Sequence, residues 1–218
     1  MAKVVVFGTQ DLAQLADYYL SHDSEHEVVA FAVHSEFIDR ENFMGKPVVP
    51  FESIGEEYPP DRIKLFAPMT HSNMNRLRES VYNEGKQRGY DFISYVSSKA
   101  TVANNEIGEN CFILEDNTLQ PFTKIGNNVV LWCGNHIGHH GEIKDHVFFT
   151  AQVVLSGHCV IEPYSFFGVN STIRDGSHIA QGTLVAMGAS LVAQKTEEWG
   201  VYVGNPAKKL EGKLSHEI

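Results

Sequence analysis

The sequence predicts an α/β N-terminal Rossmann-like domain, then a left-handed parallel β-helix that is all β, then a short C-terminal tail. An aliphatic or aromatic residue recurs at every sixth position from Ile107 to Leu191 with no insertion. Ahead of this series, strand-like and helix-like segments alternate, and after Leu191 the period stops before a turn at Gly204, Asn205 and Pro206. The expected units are therefore residues 1–100, 101–196 and 197–218.

In the first unit, strands are expected at Val4–Phe7, Val28–Val33, Pro47–Phe51, Ile63–Phe66 and Phe92–Val96. Helices are expected at Asp11–Leu20 and Ser72–Gly89, the second opened by Ser72 as N-cap and carrying Met74, Leu77 and Val81 on one face. Open α/β sheets bind ligands beyond the carboxyl ends of their strands. Gly8, Thr9, Gln10 and Asp11, with His34 and Ser35, are accordingly the candidate substrate-binding positions. The glycine pattern there is weak, because FGTQDLAQL holds one glycine where a dinucleotide fingerprint has three. The alternative is that Thr9–Asp11 only cap the helix.

In the second unit, an unbroken series of this length would arise by chance in about one sequence in 10⁵ at this apolar content. Four residues after most anchors stands a compact residue, as at Cys111, Val129, Gly141, Val153 and Ser171. A six-residue unit of one short strand and one turn rotates the chain by a third of a circle. Residue n then lies over residue n+18 at about 4.8 Å, the spacing of paired strands. The anchors sort into columns on this basis. Ile107, Ile125, Ile143, Ile161 and Ile179 form one, Leu119, Ile137, Leu155, Ile173 and Leu191 another, and Phe149 and Phe167 adjoin in the third. Asn117 falls beneath Asn135, which suits an amide ladder. A helix is excluded because six does not match 3.6.

Composition narrows the function classes. A formal net charge of −10 argues against nucleic-acid binding, which needs clustered cations. Cys111, Cys133 and Cys159 are widely spaced without a CxxC pair, so neither a disulfide framework nor a zinc site is expected, and no metal is assigned. No apolar run reaches about 18 residues and the start lacks signal-peptide blocks, so a cytoplasmic protein without membrane contact is expected.

The chemistry concentrates in GNHIGHHGE. The third and fourth residues of each hexad form the outward corner, so His139 and His140 project at an edge and His158 stacks over His140. Imidazole suits proton removal because its ordinary pKa of about 6.5 lies near working pH. The cluster as a whole is the candidate for proton transfer. The Gly157 amide, on the next coil, is a candidate oxyanion donor. In the tail a short basic helix is expected after the turn, and Lys208, Lys209 and Lys213 are the densest positive cluster, which could meet coenzyme phosphates.

From about residue 90 to 210, and more loosely throughout, the sequence resembles the hexapeptide-repeat nucleotide-sugar N-acyltransferases, typified by bacillosamine and perosamine N-acetyltransferases, and the sialic acid O-acetyltransferase family. The α/β domain first, the uninterrupted hexads, the histidine in GNHIGHH and the GNPAK tail carry the likeness. It implies an acyltransferase of surface polysaccharide (lipopolysaccharide) biosynthesis that takes acetyl-CoA or another acyl-CoA as co-substrate. A nucleotide-linked amino sugar would sit on the α/β domain, and a homotrimer would form active sites between neighbouring β-helices. The resemblance places the catalytic histidine at His139 and CoA contacts at Phe148, Val169 and Met187, with Asn205 and Lys208 of the tail alongside. Two departures stand out: His140 replaces the acidic residue that follows the family's base, so Glu142 or Asp145 would have to raise its basicity or nothing does, and Phe148 replaces a CoA-contacting histidine; His136 is the alternative base if His139 only orders the corner. Sugar O-acetylation is the nearest alternative. A γ-type carbonic anhydrase lacks its histidine spacing here and would leave the N-terminal domain superfluous, and a noncatalytic scaffold is the third option, which CoA binding would separate.

Overall fold

A computed structural model describes residues 1–218. The N-terminal part runs β1 (Lys3–Phe7), α1 (Asp11–His22), β2 (Glu27–Val33), β3 (Asn42–Phe43), β4 (Lys46–Pro50), β5 (Ile63–Phe66) and α2 (Arg76–Gln87). The sheet order is β3-β4-β2-β1-β5, parallel except for the β3/β4 hairpin at one edge. Val4, Val5 and Val6 are fully buried, as a central parallel strand covered on both faces requires.

The second helix starts later than its sequence suggests. Asn73, Met74 and Asn75 all adopt left-handed backbone, which a helix cannot contain, so Ser72 caps nothing and Arg76 is the first helical residue. Of the segment 92–96, only Tyr95–Val96 is a strand, and it pairs with Phe112–Ile113 in the repeat; Phe92 makes one bridge to Leu65.

The rest is a stack of short parallel strands in three sheets, consistent with a left-handed parallel β-helix. Each strand pairs with the one eighteen residues on, as in Ile125↔Ile143↔Ile161↔Ile179 and Leu119↔Ile137↔Leu155↔Ile173↔Leu191. The anchors from Ile113 to Leu191 fill one core, in which Phe149 and Phe167 stack with centroids 4.3 Å apart. Every sixth residue from Asn104 to Gly188 has left-handed backbone at the corner, which explains the Asn, Asp, His and Gly found there.

The buried Asn117 and Asn135 do not form the expected ladder: Asn135 Nδ2 donates to the Trp132 carbonyl, Asn117 Nδ2 to those of Leu114 and Trp132, and Asn135 Oδ1 accepts from the Val153 N–H. Backbone carbonyls at the turns take the amide donors, and no hydrogen bond joins the two side chains. A true side-chain ladder stands one corner away, where Asn110 donates to Asn128 at 2.8 Å and Asn128 meets His146 at 2.9 Å.

The basic segment of the tail is a strand rather than the expected helix, and only a single 3₁₀ turn at Ser215–Glu217 follows it. Gly200–Val203 extends one sheet of the β-helix, and Lys208–Leu214 pairs with it antiparallel, satisfying an edge that a helix would leave open.

The three faces of the prism differ in their outward residues. The aromatic face (Phe112, Val130, Phe148) is buried against Val4, Val6, Phe31 and Phe66 of the α/β sheet, in one continuous core. The His136 face carries Thr118, His136 and Val154, and the Glu142 face carries Lys124, Glu142 and Val160.

Asp23, just past α1, clamps the two parts together by accepting hydrogen bonds from Tyr95 Oη at 2.7 Å, the Ser98 N–H at 2.9 Å and Ser97 Oγ at 3.3 Å. Hydrogen bonds from Ser98, then Tyr95 and Ser97, hold its pKa at about 2, below the ordinary 3.8. A depressed carboxylate pKa contributes stability that is present above about pH 4 and lost as pH falls towards 2. Asp23→Asn should thus lower the melting temperature at pH 7, and thermal melts should show the gap from wild type closing between pH 4 and pH 2.

Candidate active site

The edge between the His136 and Glu142 faces carries His139 and His140, both exposed, with His158 one coil on. The His139 and His140 Nδ1 atoms lie 3.0 Å apart, His140 stacks on His158 with centroids 5.2 Å apart, and the His139 ring stands nearly perpendicular to both. The His139 N–H donates to Gln120 Oε1, which pins the turn.

Gly157 sits directly beyond His139 in the stack. A Cβ there would lie 2.9 Å from His139 Cε1 and 3.1 Å from both His139 Nε2 and Asp175 Oδ1. The glycine therefore leaves a gap that the His139 ring enters and that Asp175 faces from the coil beyond. Its N–H donates to no acceptor in the chain.

Neither carboxylate considered from sequence serves His139. Glu142 points from the neighbouring face into a groove with Lys124 and Lys144, and Asp145 accepts from the Asn127 N–H at 2.7 Å. The cause is alternation: residue 142 begins the next strand, whose outward side chain leaves another face. Asp175 was missed although the n+18 rule finds it, since 139, 157 and 175 form one corner column. His136 is half-buried on its own flat face, away from this corner.

A second feature lies elsewhere. β1 and β5 adjoin, and the sheet order reverses at β1, so a crevice opens beyond their carboxyl ends. There a cavity of about 290 Å³ is lined by Gly8, Gln10, Asp11, Pro68, Met69 and Thr70. It joins one of about 530 Å³ that shares Asp11, Leu12 and Thr70 and runs onto the β-helix at His71, Trp132, Phe148 and Val169. Gln10, at the N-cap of α1, makes no side-chain cap bond, so helix capping does not account for this segment.

Thr9 is buried, and His34 and Ser35 do not line the crevice. His34 Nε2 lies 2.9 Å from the Glu84 carboxylate, and Ser35 donates its N–H to Glu52. They end β2, one strand removed from the reversal. The sequence could not reveal which two strands adjoin there, so it missed Thr70 and His71. The His71 ring lies 4.4 Å from that of Phe166 and 5.4 Å from that of Phe148. Although the residue has an exposed side, burial of the ring, then the charge of Arg78, lowers its pKa from 6.5 and keeps it neutral at pH 7.

Arg78 is fully buried beneath this crevice. It bonds to Asn75 Oδ1 and to the Met69 and Val147 carbonyls but to no carboxylate, and its guanidinium lies over the Phe148 ring. Burial lowers its pKa to about 9, which still leaves a cation at neutral pH. Phe148, given to the coenzyme by resemblance, is therefore mostly covered by Arg78, His71 and the α/β sheet, with only an edge in the cavity. Met187, Asn205 and Lys208 are exposed and line neither cavity.

The acetyltransferase domain of PglB from Neisseria gonorrhoeae, solved with acetyl coenzyme A, superposes on 95% of the chain and 98% of its own, with a TM-score of 0.84 and 19% identity. PerB from Caulobacter crescentus, solved with CoA and GDP-perosamine, covers 96% of this chain and 98% of its own at a TM-score of 0.82 and 18% identity. This chain shares their fold. WeeI from Acinetobacter baumannii matches equally, covering 96% and 100%, at a TM-score of 0.80 and 21% identity. In sequence, an acyl-[acyl-carrier-protein]–UDP-N-acetylglucosamine O-acyltransferase of Sinorhizobium fredii is 26% identical over 107 residues, which is 46% of this chain and 39% of that protein. The chain thus spans about two fifths of the length of the curated relatives it matches. No family model matches the chain.

Proposed function

We propose that the protein is an acyl-CoA-dependent acyltransferase that moves an acetyl or other short acyl group to the amine of a nucleotide-linked amino sugar, in the cytoplasmic synthesis of surface polysaccharide. The observation that carries this reading is the His139 corner, where an exposed imidazole enters a gap kept open by Gly157. The fold shared over nearly the whole chain with acetyltransferases solved with acetyl-CoA, or with CoA and GDP-perosamine, supports it.

In this reading residues 1–100 are a Rossmann-like domain for the nucleotide sugar, 101–196 bear the catalytic edge and 197–218 form a tail beside the coenzyme. The free N-terminus of α1 and the buried Arg78 favour phosphate oxygens in the crevice, and Asp11 favours hydrogen-bond donors such as sugar hydroxyls. The amine nitrogen attacks the thioester carbonyl carbon while His139 takes the amine proton. The Gly157 N–H is placed to donate to the oxyanion, and the tetrahedral centre then breaks its C–S bond to release CoA as thiol. Asp175, rather than Glu142, is the carboxylate that faces the gap entered by the His139 ring.

Within one chain the crevice and His139 occupy different edges of the prism, separated by the width of the His136 face. A site using both needs a neighbouring copy to bring its histidine edge to this crevice, and the homotrimer that the resemblance implies would supply one. The test is thiol release from acetyl-CoA with a panel of nucleotide amino sugars and their hydroxyl counterparts, with sedimentation equilibrium alongside. Thiol release that depends on an amino-sugar acceptor, from a trimer, is the expected result. Release only with the hydroxyl counterparts would move the assignment to O-acylation, and no acceptor-dependent release would overturn it.

A further inference from the structure

We propose that His139, His140 and His158 form a binding site for one divalent transition-metal ion, zinc fitting best, and that filling it switches off the base. Their ligand nitrogens all lie within 4.8 Å of one another. Cysteine content does not point to this set; the coil geometry makes it, by placing two successive corner residues beneath one from the next coil.

The donor set selects the metal. Three neutral imidazoles without a carboxylate suit zinc, copper or nickel, and are poor ligands for magnesium or calcium, which take oxygen. Zinc–nitrogen bonds of about 2.0–2.1 Å place tetrahedral ligand atoms about 3.3 Å apart. The 3.0 Å between His139 Nδ1 and His140 Nδ1 is already close to that value. At this distance two bare lone pairs repel, so one nitrogen must carry a proton directed at the other, and a metal ion replaces that shared proton. His158 is exposed, so its ring is free to turn the remaining distance. Three protein ligands leave a fourth position for water, and the chain's net charge of −10 favours a cation.

The consequence for catalysis rests on the proposed function; the binding does not. A metal on His139 Nδ1 confines the imidazole proton to Nε2, the nitrogen beside Gly157. No lone pair then remains there to accept the amine proton.

The chelator-treated full-length protein is titrated with Zn²⁺ by calorimetry and with Co²⁺ by visible absorption. Binding should saturate at one ion per chain. His140→Asn and His158→Asn should each weaken it at least about tenfold, while His22→Asn, on α1, leaves it unchanged. Absence of saturation at that ratio, or unchanged affinity in both corner variants, overturns the site. In the thiol-release assay, Zn²⁺ should inhibit reversibly on addition of chelator, and the inhibiting concentration should rise by the same factor in His158→Asn. A rate indifferent to bound zinc overturns the switch. Corner-dependent zinc binding without any acyl transfer leaves the site standing and removes only the acyltransferase reading.

Discussion

His139→Asn should lower kcat for acyl transfer by about 10²- to 10⁴-fold, the usual worth of a general base, while leaving CoA affinity nearly unchanged. Asparagine keeps a hydrogen-bonding group near the position of Nδ1, but it has no atom at Nε2 and cannot take the amine proton. The surface position of His139 means the variant should fold as the wild type does. Gly157→Ala should reproduce part of the loss, because its Cβ would stand 2.9 Å from His139 Cε1 and push the ring from the gap. A displacement of about 1 Å at a reacting group costs up to about 10²-fold. His136→Asn should matter less, since its side chain leaves a flat face. The measurement is thiol release at saturating donor, with calorimetry for CoA. If the His139 variant keeps more than about a third of wild-type kcat, the general-base assignment fails.

Phe149→Ala should destabilise the fold by about 3–5 kcal/mol. Phe149 is fully buried and stacks on Phe167 at 4.3 Å, with Leu131 paired on its other side. Neighbouring coils are held at strand spacing by the backbone ladder and cannot close over the missing ring, so a cavity should persist. Phe122→Ala, at an exposed corner, should change stability by no more than about 0.5 kcal/mol. Urea unfolding followed by circular dichroism compares the two. An unshifted midpoint for Phe149→Ala would mean that the ring does not fill the prism interior.

The six-residue period determined most of what the sequence could determine. It specified the strands, the inward residue of each, the stacking at n+18 and the projection of His139 and His140 at a corner, because each follows from local geometry repeated without insertion. The same rule, carried two coils on, also holds Asp175. Other features were not local. The left-handed run Asn73–Asn75 delays α2 because Asn75 is held by Arg78 and by the Tyr164 carbonyl, contacts made across the chain. The tail becomes a strand because an open sheet edge waits for it.

The crevice depended on strand order. Gly8, Gln10 and Asp11 were legible as residues following β1, whereas Thr70 and His71 became neighbours only once β5 had paired with β1. Likewise, only the tertiary structure decided that the aromatic face is the one covered by the α/β domain, which leaves the histidine edge opposite it and exposed. A repeat fixes what each residue faces along its own coil. Which of three equivalent faces is buried depends on apolar contacts between residues far apart in the chain, such as Phe66 with Phe112, and no local period encodes that choice.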